Sequence, residues 1–474
     1  MILSTTEYLL LALYLVGLFV LGFRRSQRDN NSMEEYLVAG RRLSLPAFVA
    51  TLVSTWYGGI LGVGEFSYKY GISNWLVFGL PYYLYAIIFA LFIAGRARRT
   101  KFYTIPEQLE KAYGRRASMT GAFFIFILST PAPYVLMIGV LCRMLFGWPL
   151  WLGVILGALF SMIYAFRGGL AAIVRTEILQ FLLMYAGFIV ILIFAVSRFG
   201  GWEFLKTNLP PLHLTWHGEN SPQYILVWYF IAMSTLVDPA FYQRCYAAQS
   251  EKVARHGILI SVLCWMVFDF MTTATGLYAA ALLPNLANPV ESYPQLATKL
   301  LPPLARGLFF LSLFATIMST IDGYAFLSAI ALGKDVLWKI FGRGEDKRVT
   351  SFTRVGLIIT FIVAVGIALL SPSVVNIWYQ LGSLATPVLL VPLASSFSEK
   401  WKMPAMGVWL SMLVSAAWSG LWMLAGTDGE YWLGFQPIYV GLAASAGCFI
   451  LAQWYKKQKS LHQKAFKGGG ADGT

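Results

Sequence analysis

The run Thr316-Ile317-Met318-Ser319-Thr320-Ile321-Asp322-Gly323 places three hydroxyls and one carboxylate inside an apolar segment. Residues 316, 319, 320 and 323 lie three or four apart, so a helix would carry them on one face. Serine and threonine hydroxyls are hard oxygen donors. They suit a small alkali cation once backbone carbonyls join them, and an unwound helix supplies such carbonyls. Small hydroxylated residues also let helices pack closely, so the run by itself leaves ion binding and packing both open.

An unwound stretch occurs elsewhere in the chain. An apolar run from Leu45 to Lys69 is long enough to cross a bilayer, yet its centre reads Ser54-Thr55-Trp56-Tyr57-Gly58-Gly59. At membrane depth, irregular backbone survives only when buried in protein or lining a cavity. Carriers use such helix centres to hold ions and solutes. A second interruption, Ser234-Thr235-Leu236-Val237-Asp238-Pro239, sets a carboxylate and a proline in another apolar run. Proline removes a backbone donor and forces a kink.

Ionisable residues at such depth are rare and usually functional. Besides Asp238 and Asp322 they are Glu65, Glu177 and Asp269. Glu177 follows Arg175 and could pair with it at the interface. Asp269, within Phe268-Asp269-Phe270, has no polar neighbour in sequence and is assigned no role. No arginine is expected at a span centre, which disfavours a strongly anionic solute. Midspan aromatics, among them Tyr57, Tyr82, Tyr134, Trp228 and Tyr229, could stack on a sugar or hold a cationic group.

The elements that position these residues follow from hydropathy. The chain has 474 residues, is 58% hydrophobic and only 12% charged, against about 25% charged in soluble proteins. Apolar runs of bilayer length recur about 13 times, with few long loops, which reads as one all-helical polytopic domain. We expect the transporter domain over residues 1–456 and a basic, glycine-rich cytoplasmic tail over 457–474. The net charge of +14 needs no nucleic acid. With the N-terminus outside, roughly 30 of the Lys and Arg residues fall in inner loops and the C-terminus lies in the cytoplasm. Arg24, Arg25, Arg28, Arg41 and Arg42 fill the first inner loop, and Arg96, Arg98, Arg99, Lys101, Lys111, Arg115 and Arg116 the second. The four cysteines are scattered, so no disulfide or metal framework is expected. No histidine lies in an expected span and no nucleophile–base pair is visible, so no catalytic residue is assigned.

The two interrupted runs are each the first of a five-span set, about 45–197 and 223–397. Five is odd, so the second set is inverted relative to the first, the pattern of an inverted-repeat carrier. In order and spacing, several motifs resemble the sodium:solute symporter family, whose members carry sugars, proline, sialic acid or pantothenate. They are Glu35-Tyr36-Leu37-Val38-Ala39-Gly40-Arg41, the Val53–Gly59 stretch followed by Tyr68-Lys69-Tyr70-Gly71, and Gly168-Gly169 with Thr176, Glu177 and Gln180. The most specific is Asp238-Pro239-Ala240-Phe241-Tyr242-Gln243-Arg244. The resemblance implies a leucine-transporter-like core of two inverted five-helix repeats, with one extra helix before and two after. It also implies a Na⁺ site formed by the carbonyls of Val53, Trp56 and Thr316 and the hydroxyls of Ser319 and Thr320. Family members with a second Na⁺ site use aspartate where this chain has Glu177, and small hydroxyls where it has Asp322 and Gly323. Glu177 and Asp322 could therefore hold a second cation or serve proton coupling.

The expected function is Na⁺-driven symport of a small organic solute in the cell membrane by alternating access, with Na⁺ as coupling ion, no organic cofactor, and the monomer as the working unit. Expected solute contacts are Ser54, Thr55, Tyr57, Tyr82, Tyr134, Trp228, Tyr229 and Gln380. A zwitterion is favoured over a sugar or a carboxylate. Alternatives are proton-coupled symport by the same fold, and a membrane solute sensor. The sensor is disfavoured because the chain stops about 20 residues after the last expected span.

Overall fold

The computed structural model describes residues 3–23, 32–342, 348–371, 373–426 and 431–468. The glycine-rich ending, 469–474, and Arg24, Arg25 and Arg28 lie outside the described residues. The principal helices are α1 (Thr5–Phe23), α2 (Leu45–Trp56), α3 (Ile60–Tyr70), α4 (Leu80–Phe92), α5 (Ala94–Thr100), α6 (Ile105–Tyr113), α7 (Arg115–Leu128), α8 (Ala132–Phe146) and α9 (Leu150–Phe199). After them come α10 (Pro222–Ile231), α11 (Pro239–Ala247), α12 (Glu251–Leu282), α13 (Pro303–Leu332), α14 (Val349–Leu370), α15 (Val374–Ser396), α16 (Ala405–Ala425) and α17 (Pro437–Gly468). Among the described residues no strand forms beyond an isolated bridge between Leu43 and Ala248.

Eleven helices in the described residues are long and apolar enough to cross a membrane, twelve if the bent pair α2–α3 is one span. The first part of α9, Leu150–Ile163, is a shorter apolar helix before the kink at the non-helical Gly169, and it stands where the remaining expected span falls. Helix α17 continues past residue 456 to Gly468, so the start of the expected tail is helical backbone.

Burial runs opposite to that of a soluble protein on the outside. Leu370 and Leu424 are 88% and 84% exposed, surface that only lipid can cover without cost. Helix α13 lies at the centre. From Phe309 to Ala331 every residue is buried, including Thr316, Ser319, Thr320 and Asp322. Polar side chains in such a helix must find partners on neighbouring helices.

Two breaks bring other helices to α13. Helices α2 and α3 meet at 62° across Tyr57-Gly58-Gly59. The glycines are needed for close approach. A Cβ on Gly58 would lie 2.3 Å from the Thr320 Cβ, and one on Gly59 2.0 Å from the Trp378 ring. Helix α10 ends in a tight 3₁₀ turn over Ala232–Leu236, and α11 begins anew at Pro239. Asp238 caps α11, accepting from the Ala240 N–H at 2.7 Å. Pro239 sits where its missing N–H is not needed, so the Asp-Pro pair stops one helix and starts the next.

Candidate functional site

Four oxygens converge where the first break meets α13. The Ser319 Oγ lies 2.9 Å from both the Ser54 and the Thr316 carbonyl oxygens. The Thr320 Oγ1 lies 3.3 Å from the same two carbonyls. All four residues are buried. Two carbonyls and two hydroxyls, with no carboxylate among them, form a hard, neutral donor set of the kind a weakly charged alkali cation accepts. The carbonyl that meets the hydroxyl pair is that of Ser54. The Val53 carbonyl instead accepts the Trp265 indole N–H at 3.5 Å.

One residue further on, Thr55 enters a different cluster. Its hydroxyl donates to Glu177 on α9. The Arg244 guanidinium of α11 lies 2.7 Å from the Thr55 Oγ1, and 3.1 Å and 3.3 Å from the two Glu177 oxygens. Arg244 and Glu177 have no exposed side-chain surface. A buried ion pair survives only with good geometry and further hydrogen bonds. Thr55 supplies one, and Gln243 accepts from Arg244 at 3.0 Å. Gly323 packs against this cluster, and a Cβ there would come within 2.6 Å of Thr55.

Above the break opens a cavity of about 1060 Å³, its open mouth included, reached by Trp56, Tyr57, Tyr82, Tyr83, Tyr134, Trp265, Tyr324 and Trp378. Their rings meet mostly edge-on or tilted. Trp56 contacts Tyr82 at 5.5 Å and Trp265 at 5.7 Å, and Tyr134 contacts Tyr324 at 5.7 Å. The charged residues lining the cavity are Asp238 and Asp269. Asp238 accepts from the Tyr324 hydroxyl at 2.7 Å. Asp269 accepts from Tyr57 on one oxygen and Tyr83 on the other. Tyr57 therefore links the broken helix to the carboxylate of α12.

A family profile described as the sodium:solute symporter family matches residues 36–414. The chain belongs to the sodium:solute symporter family. Among curated relatives, it is 27% identical to the sodium/pantothenate symporter of Escherichia coli, an alignment covering 93% of this chain and 95% of that one. It is 25% identical to the sodium/glucose cotransporter of Vibrio parahaemolyticus, over 77% and 75% of the two chains. Among solved structures, a Na⁺-coupled sialic acid symporter in a substrate-bound outward-open state superposes with a TM-score of 0.78 at 16% identity, covering 95% of this chain and 97% of that one. A nucleobase-cation symporter in a closed conformation gives a TM-score of 0.63 at 13% identity, over 91% and 96% of the chains. This symporter is thus a multi-pass membrane protein with the leucine-transporter-like fold, coupled to Na⁺.

Against that family frame, the expected site residues divide. Thr316, Ser319 and Thr320 are together, with Ser54 as the carbonyl from the broken helix. Trp56 gives its ring to the aromatic cavity, as do Tyr57, Tyr82 and Tyr134. Five other expected contacts stand elsewhere. Ser54 lies under the hydroxyl pair and Thr55 in the ion-pair cluster. Trp228 packs on Phe78 at 4.6 Å, behind the cavity wall, and Tyr229 belongs to the same outlying apolar cluster. Gln380 is exposed, because α15 turns Trp378, Leu381 and Gly382 to the cavity instead. Glu65 is paired with Lys69 at 2.6 Å, four residues along α3, away from the cavity. Glu177 meets Arg244 rather than Arg175.

The reading that no arginine would sit at depth fails at Arg244, a fully buried side chain. It stands where the run after Asp238-Pro239 turns polar, and packing of α11 against α5, α2 and α12 carries it inside. Asp269, Tyr83, Trp265, Tyr324 and Trp378 are further cavity residues not anticipated as contacts. For Asp269 a signal existed: a lone carboxylate in an apolar run is functional by default.

Proposed function

We propose that Na⁺ binds among the Ser54 and Thr316 carbonyls and the Ser319 and Thr320 hydroxyls, and that its inward gradient drives import of a small solute carrying a cationic nitrogen. The observation that carries the solute class is the cavity's charge. Asp238 and Asp269 line it among nine aromatic rings, and among the described residues no lysine or arginine does. Aromatic faces attract a desolvated cation by about 2 kcal/mol, and a carboxylate adds a charged partner. Amines, betaines and zwitterions match this lining better than sugars or simple carboxylates.

The Na⁺ would act through helix position. Its donors come from α2 on one side and α13 on the other, so occupancy ties the broken helix to the centre of the bundle. Tyr57, three residues beyond Ser54, then presents its hydroxyl to Asp269 at the cavity. Ion and solute thus bias the same conformation, which is what coupling requires. The second repeat answers through Asp238, which caps α11 and faces the solute space. We take the N-terminus as outside, the C-terminus as cytoplasmic and the monomer as the working unit.

Proton coupling through Glu177 and Asp322 has less support, because Glu177 already has a fixed cationic partner in Arg244. The test is uptake into proteoliposomes under an imposed Na⁺ gradient, following a thermal-shift screen of amines, betaines, amino acids, sugars and carboxylates with and without Na⁺. Na⁺-dependent stabilisation by a cationic or zwitterionic solute, followed by its Na⁺-driven uptake, supports the reading. Binding of sugars or simple carboxylates alone overturns the solute class. Uptake driven by a pH gradient without Na⁺ overturns the coupling.

A further inference from the structure

A second concave site lies far from the solute cavity, between the end of α4, helix α5 and the first two turns of α12. It is a groove of about 890 Å³, counting its open side. Two basic residues stand on each wall: Arg96 and Arg99 on α5, Lys252 and Arg255 on α12, joined by His256. All are exposed. In both pairs the charges are three residues apart on one helix, a spacing at which like charges repel. The one carboxylate in the groove, Glu251, is 3.6 Å from Arg99. Arg96, Lys252 and Arg255 have no ion-pair partner among the described residues. One carboxylate against four cationic side chains leaves the groove with a net positive charge.

Hydrogen bonds beside the groove fix its two walls relative to each other. The Arg98 Nε donates to the Ala248 carbonyl at 2.5 Å, tying α5 to the chain just before α12. The Leu43 N–H donates to the Ala247 carbonyl at 3.0 Å, and the Gln249 N–H to the Leu43 carbonyl at 3.1 Å, fixing that chain from the other side. Gly95 faces Glu251 across the groove, with the carboxylate 3.3 Å from where a Cβ would stand. The opposite end of the groove is apolar. Leu91 and Phe92 line it and are 44% and 61% exposed. They belong to a membrane-spanning segment, Trp75–Phe92, so their exposed faces meet acyl chains.

A positively charged groove that runs directly into lipid-facing apolar surface matches one class of ligand. We propose that this groove binds an anionic phospholipid, with its phosphate among Arg96, Arg99, Lys252 and Arg255 and an acyl chain along Leu91 and Phe92. Basic pockets between helices at the membrane surface are suited to such headgroups, and each Lys or Arg contributes about 1 kcal/mol at an anionic membrane, or about five-fold in affinity. The groove would hold a lipid that steadies α4 and α12, two of the helices lining the solute cavity.

The experiment uses the full chain in detergent. Its thermal unfolding midpoint and the lipids it retains in native mass spectrometry are followed with added phosphatidylglycerol, phosphatidylcholine or inorganic phosphate. Phosphatidylglycerol should bind and raise the midpoint, and phosphatidylcholine should not. The Arg96→Gln/Arg255→Gln variant should bind phosphatidylglycerol about twenty-five-fold more weakly, at five-fold per charge removed. Arg96→Lys/Arg255→Lys should keep most of the binding. Lys111→Gln/Arg116→Gln removes the same number of charges from α6 and α7, outside the groove, and should bind as the wild type does. Equal losses in the groove and control variants would mean a diffuse surface charge and overturn the proposal. So would an equal shift with inorganic phosphate, which would mark a free-anion site, or no preference for the anionic lipid.

Discussion

The guanidinium of Arg244 lies 3.1 Å from the Glu177 carboxylate, and neither side chain reaches solvent. The pair joins α11, which follows the second break, to α9, and Thr55 brings in the first broken helix. Removing one partner strands a charge in a low-dielectric interior, at a cost of about 3–5 kcal/mol. Arg244→Ala should therefore lower the unfolding midpoint sharply. Replacing both groups, as Glu177→Leu with Arg244→Met, should recover much of the loss, because no uncompensated charge remains. Thermal unfolding of the three purified proteins in detergent checks this. An Arg244→Ala protein as stable as the wild type would show that the pair is not a buried, coupled unit.

Ser319 and Thr320 share the Ser54 and Thr316 carbonyls, so each hydroxyl can partly cover for the other. Either single alanine should raise the Na⁺ concentration for half-maximal uptake modestly. The double alanine removes both hydroxyl ligands to the cation and should raise it by about ten-fold or more, the equivalent of about 1.4 kcal/mol or more. Solute affinity measured at saturating Na⁺ should change far less. A Na⁺ titration of uptake by the double variant that overlays the wild type would remove these residues from the ion site.

Much of this arrangement was legible in sequence because it rests on local chemistry. Gly58-Gly59 and Asp238-Pro239 disfavour helix continuation by their own backbone chemistry, and the Ser319-Thr320 pair stands out in an apolar run. What could not be read is rotation. Successive residues on a helix point about 100° apart, so whether Val53 or Ser54 offers its carbonyl to α13 depends on how α2 is rolled against its neighbours. The same holds for the aromatics. Trp228 and Tyr83 look alike in sequence, yet one packs on Phe78 and the other reaches Asp269. Asp269 had no partner within its own helix, and its two tyrosines come from α4 and the first break, at sequence distances that no local pattern spans.

Asp269 offers the sharpest test of the solute class. Both of its oxygens accept from tyrosines at the cavity wall, so Asp269→Asn keeps the shape while removing the charge. A cationic or zwitterionic solute should lose about ten- to hundred-fold in affinity, the equivalent of about 1.4–2.7 kcal/mol. The Na⁺ requirement should be kept, because Asp269 is not among the Na⁺ donors. Tyr83→Phe should cost less, since it removes one neutral hydrogen bond and leaves the charge. Equilibrium binding of the solute identified in the thermal-shift screen, at fixed Na⁺, provides the measurement. Unchanged affinity in Asp269→Asn would take this carboxylate out of recognition.

The glycines of the first break separate local geometry from general tolerance to substitution. Gly58 and Gly62 are both buried beside the site, but their surroundings differ. A Cβ at 58 would be 2.3 Å from Thr320, well inside any real contact, whereas one at 62 would meet Trp378 at an ordinary 3.6 Å. Gly58→Ala must push the broken helix away from α13 or rotate Thr320 out of the donor set, and either change separates the Ser54 carbonyl from the hydroxyl pair. Gly62→Ala requires neither, and a helical glycine-to-alanine change even gains about 0.5–1 kcal/mol of helix preference. Gly58→Ala should therefore insert and fold but lose most Na⁺-driven uptake, while Gly62→Ala keeps it. Uptake at matched protein levels, with a Na⁺ titration of each variant, distinguishes the two. Equal activity in both variants would mean that the close approach of the break to Thr320 is not needed for coupling.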